Sequence, residues 1–450
     1  MVPLVAVKLP ISAPLAELFE RCANEPWALL LDSCNSAAAQ WDFVFRQPLF
    51  TVTRAENWPQ QLEQAMASVP DYKGPEHLPF QGGIAGAWSY DAGRALEKLP
   101  DIAADDIQLP EIAVGVYTQA LMQNRHTGET WLLAPEQELA ALQDFWQQPV
   151  AQRTKLPNFK LLTPWQSNMT AVDYADKFSR VQSYLLAGDC YQVNLAQRFS
   201  ALFEGSTWQA YQRLRENNNA PFSAYFKLKQ GALLSLSPER FLAIDASGKV
   251  ETKPIKGTRP RADDAQEDAA LASALHNSSK DRAENVMIVD LLRNDLSRLC
   301  QPGSVHVPKL FAIESYPAVH HLVSTVVGQL NSAQQGIALL AECFPGGSIT
   351  GAPKIRAMEI IDELEPHRRS YYCGSFGYFS KHGNADTNIA IRTLVASQDD
   401  SHHGTIHCWA GGGLVADSEC AAELQETRDK VARILPVLAD PEFGGPKHDA

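Results

Sequence analysis

The chain has 450 residues, of which 45% are hydrophobic and 20% charged, a composition suited to a large packed core. Its formal net charge of −13 argues against nucleic acid or an anionic membrane as a partner. An anionic substrate would need cations placed locally to overcome that field.

Near the N-terminus, Pro3, Pro10 and Pro14 with Lys8 break up any signal-peptide core, and no long apolar run follows. The eight cysteines (22, 34, 190, 300, 343, 373, 408 and 420) are scattered, without Cys-x-x-Cys or zinc spacing. They read as reduced, buried thiols of a cytoplasmic protein. Residues 1–150 form an N-terminal region with strand-like runs such as Trp27-Ala28-Leu29-Leu30-Leu31. The glycine-rich run Phe80 to Gly86 lacks the Lys-Ser/Thr of a phosphate loop, so tight strand packing is expected there. From Gln147 to Pro164 a polar stretch carrying Pro149, Pro157 and Pro164 reads as a linker.

The second region spans residues 166–438. Thr170 is placed as an N-cap, Tyr174, Phe178, Val181 and Leu185 recur at helical spacing, and Gly188 sits where a C-terminal cap belongs. Asp189 to Leu195 reads as a strand or strand entry. Ser237-Pro238-Glu239-Arg240 ends the apolar run Leu233 to Leu236. Glu239 is a general acid if partial burial raises its pKa, or else one half of an ion pair with a cation such as Arg240.

Pro254-Ile255-Lys256-Gly257-Thr258 places a lysine beside groups that can hold an anion. Lys256 is an anion clamp, a nucleophile if deprotonated, or a solvated lysine in a turn. An ordinary lysine pKa of ~10.4 leaves under about a thousandth of it neutral at pH 7, so nucleophilic work needs burial or nearby positive charge. A helix starting near Ser279 carries Glu284, and His320-His321 precedes an apolar segment. These histidines are either structural or functional. Phe344 to Lys354 is a small-residue loop opening a helix with Pro353 in its first turn, and that helix ends before Pro366. From Asn388 to Val395 apolar and mixed residues alternate, predicting a strand with two distinct faces. Ala410-Gly411-Gly412-Gly413 allows close backbone approach to a ligand or forms a flexible turn. A last helix is expected from Ser418 to Leu435, stopping at Pro436. Glu423, Glu426 and Lys430 share one stripe of it. With Glu284 they are candidates for a hard cation such as Mg²⁺, or else they lie on solvated helix faces.

Taken together these segments resemble the chorismate-utilising enzymes, a family including anthranilate, aminodeoxychorismate, isochorismate and salicylate synthases. The likeness covers essentially the whole chain and is strongest from Trp165 to Leu435. It rests on Asp281-Arg282-Ala283-Glu284-Asn285, Phe344 to Lys354, Ile391-Arg392-Thr393 and Gly411-Gly412-Gly413, with Phe80-Gln81-Gly82-Gly83 and Tyr90 to Arg94 in the N-terminal region. The resemblance implies an α+β fold, two stacked antiparallel sheets surrounded by helices, with the two regions interwoven. It implies Mg²⁺ on Glu284 and Glu426, with Glu423 nearby. Tyr372, Arg392, Gly411, Gly413 and Lys430 would hold the carboxylates of chorismate, and Gly257, Thr258, His321 and Thr350 would line the ring.

Within the family Lys256 is decisive, because anthranilate synthases have alanine there. A lysine implies amination of chorismate at C4, giving 4-amino-4-deoxychorismate on the p-aminobenzoate branch of folate synthesis. Lys256 would attack C2, and Glu239 would protonate the departing C4 hydroxyl. Lys253 and Mg²⁺ would help lower the pKa of Lys256. No Gly-x-Cys-x-Gly motif is present. Ammonia would therefore come from glutamine through a separate glutaminase subunit. The alternatives are anthranilate formation and, in a different class, a non-catalytic partner subunit. Ser33, Trp41, Pro221, Phe222 and Ser223 fit the family's tryptophan site, although Ala37-Ala38-Ala39 replaces more polar residues there.

Overall fold

The computed structural model describes residues 2–34, 36, 39–148, 157–316 and 319–440. Ala37, Ala38 and the part of the expected linker that holds Pro149 lie outside these residues. Among the described residues the strands form two sheets, of fourteen and ten strands. All pairings between them are antiparallel except that of Leu4–Leu9 with Tyr72–Lys73. Among the described residues no helix is long and apolar enough to cross a membrane.

The larger sheet runs from Gln192–Glu204 through His403–Leu414, Thr393–Gln398, Gly231–Ser237 and Phe222–Leu228 to Leu29–Asp32 and the other early strands. The smaller runs from Ile255–Pro260 through Val319–Gln329, Lys249–Thr252, Arg240–Ile244, Ala385–Asn388 and Ser375–Ser380 to Gly83–Trp88. Each sheet thus takes strands from both the first 150 residues and the later ones.

Alternating side chains explain the stacking. Phe43, Phe45, Phe226 and Leu233 leave the larger sheet on one face and pack with Ile84, Trp88, Tyr117 and Phe376 of the smaller. The rings of Phe43 and Tyr378 meet at 4.7 Å across this layer. On the opposite face Leu30, Tyr225, Leu234 and Leu236 pack beneath helices that contribute Phe19, Leu142, Tyr211 and Leu214. Gly83 is fixed by close approach, since a Cβ there would meet the Phe379 carbonyl oxygen at 2.1 Å. None of the eight cysteines is in a disulfide, and seven of them are buried.

The helix Ala171–Ala187 has the expected ends. Thr170 and Asp173 form a capping box, and Gly188 closes the helix at φ +80°. Three expectations are corrected. Pro353 is the N-cap of Lys354–Leu364 rather than part of its first turn. The last helix ends at Val431, and a separate short helix, Leu435–Ala439, takes Pro436 into its own first turn, where a missing N–H costs nothing. Residues 388–395 do not form one strand. Ala385–Asn388 belongs to the smaller sheet and Thr393–Gln398 to the larger, with Arg392 at φ +51° in the crossing between them.

Candidate active site

Lys256 and Glu239 come from different strand ends and meet at one residue, Ser348. The Lys256 ammonium donates to the Ser348 carbonyl at 3.1 Å, and the Ser348 hydroxyl donates to Glu239 Oε1 at 2.9 Å. Lys256 is partly buried within the Ile255–Pro260 strand, so the solvated-turn reading fails. Burial pushes its pKa down and Lys430 adds to that, while Glu284, Glu239 and Glu426 pull it up. Lys253 is engaged elsewhere, in an ion pair with Glu314. Glu239 is 5% exposed. Burial pushes its pKa up to about 7, against the opposing pull of Ser348, Lys256, the Ile255 N–H and Lys430. It does not pair with Arg240, which bonds Asp386 at 2.9 Å instead. A carboxylic acid poised near neutrality beside a depressed amine is the combination that general-acid and nucleophilic chemistry require.

The carboxylates gather at the adjoining end of the site. Glu423 is buried and accepts from Ser418 at 2.6 Å, with the Lys280 ammonium 3.7 Å away. Glu426 pairs with Lys430 at 2.7 Å, and Lys430 also donates to the Gly411 carbonyl at 2.7 Å. A Cβ on Gly412 would lie 3.0 Å from Glu423 Oε2 and 3.7 Å from Glu426 Oε1, so both carboxylates look onto the glycine strand. Burial raises the Glu284 pKa, Lys256 and Lys280 lower it, and Asp281 and Glu423 raise it further. For Glu426 burial is outweighed by Lys430, Lys280 and Lys256, and its pKa falls. Among the described residues no three His, Cys, Asp or Glu side chains form a ready-made metal cage. Mg²⁺ needs only one or two carboxylates with substrate and water oxygens. Clustered hard-oxygen donors, one of them raised in pKa by burial and by its acidic neighbours, suit such an ion.

The residues expected to hold the carboxylates and to line the ring come from neighbouring strands and loops. Arg392 is partly buried, and its guanidinium has no hydrogen-bond or ion-pair partner among the described residues. Burial and then Arg433 lower its pKa. A desolvated guanidinium without a counter-charge is a site for a carboxylate. Tyr372 is buried and stacks on Trp409 at 6.1 Å. Thr258 bonds the His321 Nδ1 at 2.8 Å. Burial and the charge of Arg392 push the His321 pKa down to about 4, so it is neutral at pH 7. Gly257 has φ +86°, and a Cβ there would meet the Asp281 carboxyl carbon at 2.8 Å. Thr350 is fully buried, with its hydroxyl on the Gly346 carbonyl at 3.0 Å, so its side chain shapes the loop.

The three glycines do not form a turn. They lie inside the His403–Leu414 strand, Gly411 and Gly413 opposite Ala196 and Asn194. Their missing side chains make room for two residues that were not anticipated from the sequence. Gln192 is fully buried with both amide atoms unpartnered, and its Nε2 lies 2.1 Å from where a Gly413 Cβ would be. Asn194 Oδ1 is buried and unpartnered, 2.6 Å from the corresponding point on Gly411. Buried amides without partners are costly, which marks this wall as built for a polar ligand.

The tryptophan candidates lie elsewhere. Trp41, Pro221, Phe222 and Ser223 line a cavity of about 520 Å³ together with Asp32, Arg240 and Asp386. Ser33 does not line it. Its N–H donates to Asp42 at 2.8 Å, and its hydroxyl is buried without a partner.

A two-sheet fold with this constellation defines an enzyme of chorismate chemistry, and the chain belongs to the chorismate binding enzyme family, whose family model matches residues 28–436. Among its relatives, aminodeoxychorismate synthase component 1 of Escherichia coli (strain K12) is 50% identical over 93% of this chain and 95% of that protein. The protein of the same name from Streptomyces lividans is 38% identical over 91% of this chain and 90% of its own length. Anthranilate synthase component 1 of Synechocystis sp. is 32% identical over 95% and 94%. Among solved structures, anthranilate synthase component I from Streptococcus pneumoniae superposes with a TM-score of 0.77 at 28% identity, covering 89% of this chain and 93% of that one. The menaquinone-specific isochorismate synthase from Escherichia coli shares the fold, with a TM-score of 0.75 at 18% identity over 98% and 95%.

Proposed function

We propose that the chain converts chorismate and ammonia to 4-amino-4-deoxychorismate, as the synthase component of a two-subunit enzyme in p-aminobenzoate and folate synthesis. The observation that carries this reading is Lys256, an amine of lowered pKa held on the same residue as the acid Glu239. Neutral Lys256 attacks C2, both ring double bonds shift, and the C4 hydroxyl departs as water with the proton of Glu239. Ammonia then adds at C4, both double bonds shift back, and Lys256 leaves C2. The carboxylate of Glu239 is left to accept the proton shed by the new amine, which restores the acid. Arg392, Lys430, Tyr372 and the N–H groups of Gly411 and Gly413 hold the substrate carboxylates. Gly257, Thr258, His321 and Thr350 shape the wall along the ring. Glu284 and Glu426, with Glu423 beside them, would hold Mg²⁺, which would offset the charge of the ring carboxylate.

Ammonia is supplied by a separate glutaminase subunit, a role suggested by the component naming of the relatives. The reduced cysteines suit the cytoplasm. The cavity walled by Trp41 and Phe222 takes tryptophan, its aromatic sides matching an indole. The deciding experiment is a product assay of the purified chain with chorismate, Mg²⁺ and ammonium. It should yield 4-amino-4-deoxychorismate, and anthranilate or no product would overturn the reading.

A further inference from the structure

Ser348 sits where the two halves of the chemistry touch. It lies in the single turn Gly347–Ile349 and is 7% exposed. Its hydroxyl reaches Glu239 at 2.9 Å and its carbonyl reaches Lys256 at 3.1 Å. The turn is held from behind. The Ile349 carbonyl accepts from Arg369 at 3.0 Å, and Arg369, 1% exposed, is paired with Glu365 at 2.7 Å. The Thr350 hydroxyl bonds back to Gly346 at 3.0 Å. A buried turn fixed at both ends presents a side chain and a carbonyl in one defined geometry.

We propose that Ser348 is a positioning residue that sets the proton of the general acid. By donating to Oε1 it leaves Oε2 to carry the acid proton, and so aims that proton at the leaving hydroxyl. Its carbonyl holds the Lys256 amine beside the same acid. The inference rests on the assignment of Glu239 and Lys256 in the proposed reaction. The charged and titratable groups facing Glu239 are Lys256 on the Ile255–Pro260 strand, Lys430 on the Cys420–Val431 helix and the buried thiol of Cys373. The Ser348 hydroxyl is the strongest single influence favouring the carboxylate form.

The test measures the pH dependence of kcat and kcat/KM in Ser348→Ala, Ser348→Thr and Ser348→Cys, with chorismate, Mg²⁺ and ammonium. Ser348→Ala keeps the carbonyl and loses the donor. We expect kcat to fall about 10- to 100-fold with the KM for chorismate within about twofold. The alkaline limb of kcat/KM should move to higher pH, because the acid then loses its proton less readily. Ser348→Thr should restore both rate and limb. Ser348→Cys has similar volume and a weak donor, and repeats the test if Ser348→Ala does not fold. A wild-type enzyme that makes no 4-amino-4-deoxychorismate refutes the parent reading. An active wild type, with the limb unmoved in the Ala or Cys variant, refutes the role of Ser348.

Discussion

Replacing Glu239 by Gln should stabilise the protein at alkaline pH while disabling it. Glu239 is buried and its pKa rises from 4.5 to about 7 on folding, chiefly through burial. The native state therefore holds this proton more tightly than the unfolded chain does. The resulting stabilisation is fully present below pH 4.5 and is lost as the pH rises through about 7. The difference in pKa corresponds to ~3 kcal/mol at ~1.36 kcal/mol per pH unit, an order-of-magnitude figure. Glutamine is nearly the same shape, can accept from Ser348, and does not ionise. Urea unfolding of the wild type and Glu239→Gln should therefore diverge between pH 4.5 and pH 8, the variant gaining about 3 kcal/mol relative to the wild type. Other titrating groups cancel in the comparison unless they couple to this site. The same variant should lose ~10²–10⁴-fold in kcat, the usual worth of a general acid. Stability differences that stay constant across that pH range would refute the buried, proton-holding acid.

Lys256→Ala should abolish most 4-amino-4-deoxychorismate formation and divert part of the remaining turnover to anthranilate-type product. The wild type incubated with chorismate and no ammonia should show an adduct on Lys256 by mass spectrometry. Activity should vanish with a chelator and return with Mg²⁺, and Glu284→Gln and Glu426→Gln should each raise the Mg²⁺ concentration needed for half-maximal rate. The purified chain should use ammonium but not glutamine, so glutamine-dependent turnover without a second subunit would contradict the assignment. Denatured protein should release tryptophan, or ligand-free protein should bind it by calorimetry. Neither release nor heat at millimolar ligand would remove that occupant from the cavity beside Phe222.

What was legible in the sequence was local. Thr170, Asp173 and Gly188 punctuate a helix because each satisfies backbone groups within one turn of itself. The exchange of partners by Glu239 was legible in principle too. Consecutive residues in extended chain point to opposite faces, so Glu239 and Arg240 could not easily share a pair. Arg240 turns to Asp386, and Glu239 to the site. Ser348, Gln192 and Asn194 were missed because their meaning comes from strands and turns far away in sequence. Ser348 is polar in a loop, and Gln192 and Asn194 open a long strand, where they resemble ordinary edge residues. The break at Arg392 is also non-local. An alternating pattern predicted one strand, but the chain leaves one sheet for the other there, and a left-handed residue makes the passage.

The charge of the chain sharpens the argument for the site. A protein of net charge −13 repels an anionic substrate at long range, so affinity must arise at short range. Lys256, Lys280 and Lys430 are brought to one region by three separate elements, and Arg392 by the crossing between the sheets. Three of them are already answered by nearby acids or carbonyls. Lys430 is shared between Glu426 and Gly411, Lys280 faces Glu423, and Lys256 bonds the Ser348 carbonyl. Arg392 alone of the four has no such partner among the described residues. In the proposed reaction a substrate carboxylate arriving there would relieve a desolvated charge instead of competing for a satisfied one, which is the reason for proposing Arg392 as its anchor. Against the upward push of burial, Lys256 and Lys430, already paired, pull down the pKa values of Glu239 and Glu426. The proposed division of labour, with an unpartnered arginine to bind and partnered lysines to tune, follows from burial and pairing together, and neither property alone would suggest it.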